Sequence, residues 1–110
     1  MKILPPTERK KHRYVKFKVI SEFPITYSDL DSAIWNTLLD FYGEFGVASM
    51  DLWLMKNLYD SKNQIGILRC EHDDVQSVIG CIGLITRFGD SRTSIKILKV
   101  SGTIKGLEKE

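Results

Sequence analysis

Hydrophobic and polar residues alternate strictly from residue 13 to residue 20, which predicts a β-strand with one buried face. The apolar side of this strand consists of Val15, Phe17 and Val19. The polar side consists of Tyr14, Lys16 and Lys18. We therefore expect the first side to pack against the core and the lysines to remain accessible.

The spacing of apolar residues then changes to that of a helix. Thr26, followed three residues later by Asp29, resembles a capping box and predicts the helix start, and Gly43 predicts its end. The apolar positions between them are Leu30, Ile34, Leu38 and Phe41. They recur every three or four residues, which predicts one buried helix face.

A hairpin is predicted next. Residues 50–58 and 65–71 form apolar runs, and the polar residues 60–63 between them predict a turn. The first run has apolar residues on both faces, namely Leu52, Trp53, Leu54 and Met55. Because a two-layer domain covers only one face of its sheet, we expect a protein partner or self-association to cover the second face. The alternative is that tail segments or extra turns fold back over it.

The last third of the chain predicts a second helix and a final strand. The helix runs from about residue 73 to Gly89, with one apolar face made of Val75, Val78, Ile79, Ile82 and Ile85. Gly80 and Gly83 predict close packing against a neighbour, because a helical glycine costs about 1 kcal/mol relative to alanine. Residues 93–101 predict the strand, in which Ile95 and Ile97 face inward and Lys96 faces outward.

The element order β-α-β-β-α-β is that of the ferredoxin-like fold, which RNA-recognition (RRM) domains share. We expect an α+β domain with one four-stranded antiparallel sheet and both helices on one face, so that the first and last strands are neighbours. The 110 residues suffice for one domain, which we place at residues 13–106. A basic, flexible N-terminal arm at residues 1–12 and a tail at residues 107–110 flank it.

The formal net charge is only +2, but the charges are unevenly distributed. Residues 1–18 carry seven basic residues and one acidic residue, a net charge of +6. Residues 19–91 carry four basic and eleven acidic residues (−7), and residues 92–110 carry five and two (+3). Because the first and last strands are predicted neighbours, the basic ends should merge into one patch. Such a patch suits a nucleic-acid backbone, but lysines also keep exposed sheet edges from aggregating, and both interpretations stay open.

Catalysis, metal binding and membrane insertion have little support in the sequence. Cys70, His72 and Cys81 have soft ligand atoms but no recognised zinc spacing, and His12 lies in a charged run that predicts a solvated side chain. The apolar runs are far shorter than the roughly 20 residues that span a bilayer. With only two cysteines, the chain is expected to be a soluble protein of the reducing cytoplasm.

Several strings of residues together resemble one protein family. They are Arg13-Tyr14-Val15-Lys16-Phe17, Ala33-Ile34-Trp35, Leu52-Trp53-Leu54, Gly66-Ile67-Leu68-Arg69-Cys70 and Val100-Ser101-Gly102-Thr103-Ile104-Lys105. The last string is the most specific, because neither periodicity nor core packing requires it. Over residues 12–106 the chain resembles the Pop-five family of ribonuclease P subunits, known in archaea as protein component 2.

The resemblance implies a non-catalytic subunit of ribonuclease P, the endoribonuclease (a hydrolase) that removes the 5′ leader of precursor tRNA and whose RNA carries the catalysis and its magnesium ions. It implies no cofactor or metal on this chain. The implied partners are the ribonuclease P RNA, precursor tRNA and a barrel-like protein subunit in a two-plus-two heterotetramer. The candidate RNA-binding residues are Lys10, Lys11, Arg13, Tyr14, Lys16, Lys18, Lys96, Lys99, Ser101, Gly102, Thr103 and Lys105. The candidate partner-binding residues are Leu52, Trp53, Leu54 and Met55.

Two features limit how RNA could be bound and what else the chain could be. Residues 65–71 contain no aromatic residue, so RNA contacts should go to the backbone rather than to stacked bases. The alternative function is a ferredoxin-like regulatory or ligand-binding module that self-associates through its sheet without RNA. An acylphosphatase-like enzyme is disfavoured, because residues 21–24 lack glycine and a phosphate-binding arginine.

Overall fold

The fold is a single sheet with helices packed on one side. The computed structural model describes residues 11–88 and 91–108. Its strands and α-helices are β1 (His12–Ser21), α1 (Tyr27–Ser49), β2 (Trp53–Leu54), β3 (Ile65–Glu71), α2 (Val75–Ile82), β4 (Arg87–Phe88), β5 (Ser91–Ser101) and α3 (Ile104–Leu107). Two short 3-10 helices cover Lys56–Leu58 and His72–Asp74. No helix within the described ranges is long and apolar enough to cross a membrane.

The strands form an antiparallel sheet in the order β2-β3-β1-β5-β4. Strands β2, β3, β1 and β5 have the predicted ferredoxin-like arrangement, and β1 and β5 are neighbours as expected. The two-residue strand β4 is additional and pairs with the start of β5. It replaces the predicted end of the second helix, since α2 already ends at Ile82. The predicted terminal residue Gly89 lies outside the described residues.

The hydrophobic core lies between the sheet and the two long helices. The predicted apolar side of β1 is fully buried, and Leu30, Ile34 and Leu38 of α1 pack against it with Val78 and Ile82 of α2. One close contact crosses from β1 to β3, where Phe17 is paired with Gly66. A Cβ atom on Gly66 would lie 2.7 Å from the Phe17 ring, so only glycine fits beneath this ring.

Helix α1 begins as predicted and continues past its predicted end. The Thr26 hydroxyl accepts a hydrogen bond of 3.2 Å from the Asp29 amide. Gly43 interrupts the helix with φ 71° and ψ 176°, a conformation almost restricted to glycine, but a further helical stretch runs to Ser49. Phe41, predicted to be buried, is 60% exposed, whereas Val47 beyond the interruption is buried in the core. Gly46 lies within this further stretch.

The predicted hairpin is present, but its first strand is short. Its two-residue ladder with β3 covers Trp53–Leu54, and the chain then enters the 3-10 helix Lys56–Leu58. The predicted turn is present at residues 61–64. Leu52 and Leu54 are buried in the core, Met55 is half-buried and Trp53 is exposed. The predicted partner surface on this strand is therefore reduced to Trp53 and part of Met55.

The close packing predicted from the two helical glycines is wrong. A Cβ atom on Gly80 would meet no atom within 4 Å, and Gly83 is the C-terminal cap of α2. The glycine at the cap ends the helix early, which leaves room for β4. Ile85 remains buried although it lies beyond the helix.

Candidate nucleic-acid interface

Four lysines occupy the sheet face opposite to the helices. Lys16 and Lys18 alternate with the buried residues of β1, and each stands opposite a lysine of β5. The register pairs Lys16 with Lys99 and Lys18 with Lys96. We call the surface formed by Lys16, Lys18, Lys96 and Lys99 the lysine face. Within the described residues, the sheet therefore brings together two lysines from each basic end of the sequence.

An irregularity in β5 brings Lys99 to this face. Lys96 and Lys99 are three residues apart, so regular alternation would place them on opposite faces. The register shifts between Lys16 and Phe17, which are paired with Lys99 and Ile97. Leu98 is therefore the extra residue of a β-bulge, and the bulge turns Lys99 outward.

Three of these four lysines have no carboxylate partner nearby among the residues that the structure describes. Within the described ranges, Lys16, Lys18 and Lys96 form no ion pair with a carboxylate. Like charges directly opposite each other in a sheet are destabilising, with pair energies of roughly 0.2–1 kcal/mol. Two consecutive pairs of this kind favour the binding of a polyanion, which removes the repulsion.

A contact between His12 and Asp51 lies at the other end of the lysine face. His12 Nε2 lies 2.5 Å from Asp51 Oδ2, and Arg69 Nη2 lies 3.7 Å from Asp51 Oδ1. The carboxylate comes from the turn between α1 and β2, where Asp51 has φ 50°. The prediction of a solvated His12 is therefore wrong. The residues next to His12 in the sequence give no indication of this contact, because Asp51 is 39 residues away.

The other predicted basic residues in the described part of the chain are not in the lysine–lysine register. Arg13 is on the helix side of β1 and packs over Gly102, where an added Cβ would lie 3.1 Å from Arg13 Nη1. Lys11 and Lys105 are exposed, Lys105 on the short helix α3. Lys10 lies outside the described residues. Tyr14 is half-buried on the same face as the lysines, between its register partners Arg69 and Ser101.

The Ser101-Gly102-Thr103 string has a local structural role. Ser101 Oγ accepts a hydrogen bond of 3.3 Å from the Thr103 amide, and Thr103 Oγ1 accepts one of 3.0 Å from the Gly106 amide at the start of α3. Gly106 is required here, because a Cβ atom would overlap Ser101 Oγ. Both hydroxyl groups still have a proton to donate, so RNA contacts by this string stay a prediction.

The cysteines and His72 form no recognisable site. Cys70 and Cys81 are free and buried, and burial raises the pKa of the Cys70 thiol to about 11, with a smaller contribution from Asp74 and Glu71. His72 Nε2 lies 3.0 Å from Asp73, and Glu71 is close enough to complete a cluster of possible ligands. These contacts account for the cluster without a metal, as helix-start carboxylates often do.

A basic residue that the sequence does not single out extends the lysine face. Lys62 lies in the turn before β3, and this turn contacts the end of β1 through the Val19 amide, which donates a hydrogen bond of 2.8 Å to Gln64 O. Lys62 therefore lies beside Lys18 and Lys96 around one groove. The sequence alone gives little reason to expect a binding role for Lys62, because turn residues are commonly polar.

Three comparisons relate the chain to known proteins. The model of the Rpp14/Pop5 family matches residues 13–110. The chain is 43% identical over 109 residues to ribonuclease P protein component 2 of Pyrococcus furiosus, covering 99% of this chain and 89% of the relative. It is 38% identical to the protein of that name from Methanothermobacter thermautotrophicus, with 96% and 88% covered.

The fold also matches a solved structure. A chain in the cryo-EM structure of yeast ribonuclease MRP superposes with a TM-score of 0.68 at 18% identity, covering 86% of this chain and 76% of that chain. At this identity the match supports the ferredoxin-like fold alone. The family model and the archaeal relatives cover nearly the whole chain, and the chain therefore belongs to the Rpp14/Pop5 family.

Proposed function

We propose that the chain is a protein subunit of ribonuclease P that binds the RNA through the lysine face. The observation that carries this proposal is the cross-strand register of β1 and β5, which places Lys16 opposite Lys99 and Lys18 opposite Lys96. In the described part of the chain, Lys16, Lys18 and Lys96 have no carboxylate partner. Consecutive outward lysines on one strand are roughly 6.7 Å apart, a spacing comparable to that of successive phosphates along a nucleic-acid strand. RNA phosphates therefore fit the lysine face as counter-charges.

The role of the subunit is electrostatic and architectural. Its ammonium groups offset phosphate repulsion, so that the RNA folds and holds its magnesium ions at lower ionic strength. The RNA carries out the hydrolysis that removes the 5′ leader of precursor tRNA, and this chain supplies no catalytic group. In the holoenzyme it works in the cytoplasm with a barrel-like protein subunit, as a two-plus-two heterotetramer. Trp53 and the exposed aromatic residues of distal α1 are the apolar surfaces open to such a partner.

The proposal differs sharply from self-association through the sheet. Two copies that met face to face would bring lysines against lysines, and like charges cost free energy when they lose water. A dimer of this kind would need high salt. RNA binding, in contrast, weakens as salt rises.

The test is reconstitution of the holoenzyme from its RNA and protein subunits. The chain is added either unchanged or with Lys16→Gln and Lys96→Gln together, and cleavage of precursor tRNA is followed over a range of magnesium concentrations. We expect the double variant to raise the magnesium concentration needed for half-maximal cleavage. Lys56→Gln, which removes one positive charge on the β2 side of the domain, should leave it unchanged. Equal magnesium dependence of all three proteins would overturn the proposal.

A further inference from the structure

An open groove lies at one end of the lysine face. It has a volume of about 650 Å³, within the range of small-ligand sites. Its walls are the end of β1, the turn before β3 and the bulged part of β5. The residues used below are Lys18, Ile20, Lys62, Gln64, Lys96 and Leu98.

The groove combines three cations with an apolar surface. Lys18, Lys62 and Lys96 come from three different segments and line the same groove. Ile20 is 51% exposed and Leu98 is 40% exposed, although both are large aliphatic residues. A site for phosphate alone would need the lysines and gain nothing from these two side chains. A nucleotide has both the charged phosphate and a flat apolar base.

Hydrogen bonds hold the turn that forms one wall of the groove. Gln64 adopts φ 55°, and its side-chain amide donates a hydrogen bond of 3.0 Å to Ser21 Oγ and accepts one of 2.7 Å from the Ile25 amide. In the same turn the Asp60 carboxylate accepts hydrogen bonds from the amides of Lys62 and Asn63, at 3.0 and 3.1 Å. Such bonds fix the turn that presents Lys62. A preformed wall lowers the entropy cost of binding.

We infer that this groove holds one unpaired nucleotide of the RNA, with its base against Ile20 and Leu98 and its phosphate between Lys18, Lys62 and Lys96. A paired base is stacked on both faces inside a helix, so only a bulged or looped nucleotide can present its face to these side chains. The inference rests on the proposed function and adds which kind of RNA element the face selects.

The probes are three labelled RNA hairpins that share one stem. The first has a single unpaired nucleotide in the stem, the second has none, and the third has an abasic residue at the unpaired position. Fluorescence anisotropy measures their affinity for the chain at one fixed salt concentration. We expect the first hairpin to bind roughly fivefold tighter than the other two, because an aliphatic contact contributes less than aromatic stacking.

Variants of the groove and of the lysine face separate the two proposals. Leu98→Ser should remove the preference for the unpaired nucleotide. Lys62→Gln should weaken binding of the first hairpin more than binding of the second. The matched control is Val100→Ser, because Val100 is equally exposed (39%) on the same strand but does not line the groove. Lys16 lies outside the groove, so Lys16→Gln should weaken the binding of all three hairpins to the same extent.

Each outcome decides between the proposals. Equal binding of all hairpins by the unchanged chain, with Lys16→Gln weakening all of them, would overturn the groove and leave the proposed function standing. Binding that does not respond to Lys16→Gln would overturn both. Displacement of the first hairpin by micromolar adenosine monophosphate would assign the groove to a free nucleotide and overturn the inference.

Discussion

Lys16 and Lys99 stand directly opposite each other across β1 and β5, and both point away from the core. The bulge at Leu98 creates this contact, since regular alternation from Lys96 would turn Lys99 inward. The arrangement places one more cation on a face that already holds three. It is unfavourable for the isolated domain and favourable when a polyanion covers the face.

Replacing Lys16 by glutamine should therefore change stability and RNA affinity in opposite directions. Removing one charge of the pair relieves repulsion, so the free energy of unfolding should rise by roughly 0.2–1 kcal/mol in low salt. RNA affinity should fall, and the slope of log affinity against log salt should decrease in magnitude by roughly 0.7–0.9, the value for one phosphate contact. Urea unfolding and binding titrations over a salt series measure the two effects.

The control for this prediction is Lys56→Gln. Lys56 Nζ lies 5.8 Å from the centre of the Tyr27 ring, on the β2 side of the domain. Its loss should lower stability slightly through the cation–π contact and leave the salt slope unchanged. If Lys16→Gln also lowers stability and keeps the slope, the lysine face is only a solvated sheet surface.

Two glycine-to-alanine substitutions should change the free energy of unfolding in opposite directions. Gly66→Ala places a methyl group 2.7 Å from the buried Phe17 ring and should lower the free energy of unfolding by about 1–3 kcal/mol. Gly80→Ala meets nothing within 4 Å and should raise it by about 0.5–1 kcal/mol, because alanine favours the helix. Urea unfolding of the two single variants measures both. A stabilised Gly66→Ala or a strongly destabilised Gly80→Ala would contradict this packing.

Gln64 should be sensitive to its backbone conformation as well as to its amide. Both Gln64→Ala and Gln64→Gly lose the hydrogen bond to the Ile25 amide, which should cost about 1–3 kcal/mol. Alanine also keeps the strain of φ 55°, so Gln64→Gly should be the more stable of the two by roughly 0.5–1 kcal/mol. Chemical denaturation of the pair gives the difference. Equal stabilities would mean that the left-handed backbone is not maintained.

Local sequence patterns were sufficient to predict the parts of the fold that depend on periodicity. The buried side of β1 and the start of α1 at Thr26 follow from residues within a few positions of each other. The pairing of β1 with β5 follows from the topology of the predicted element order. The meeting of Lys16 and Lys18 with Lys96 could therefore be predicted without a structure.

Features that depend on distant residues or on irregular backbone could not be predicted in this way. The outward position of Lys99 depends on a bulge, which alternation cannot reveal. The contact of His12 with Asp51 joins segments 39 residues apart. The short strand at Trp53 and the early end of α2 at Gly83 reflect tertiary packing that overrides local propensity. The groove is formed by three segments that are distant in the sequence. The turn before β3 contains no sequence motif that predicts binding.

The Cys70 thiol should make stability fall at alkaline pH. Its pKa is about 11 in the folded chain, because of burial first and the neighbouring Asp74 and Glu71 second, against 9.0 for an ordinary thiol. Between these values the unfolded chain loses the proton while the folded chain keeps it, so raising the pH favours unfolding. The contribution is complete below pH 9 and is lost as the pH approaches 11, and the loss at pH 10 is on the order of 1 kcal/mol. Urea unfolding of the chain and of Cys70→Ala at pH 8 and pH 10 isolates this group, because the other titrating residues are shared. The stability advantage of the unchanged chain should shrink between the two pH values, and a constant advantage would show that the thiol is accessible to water.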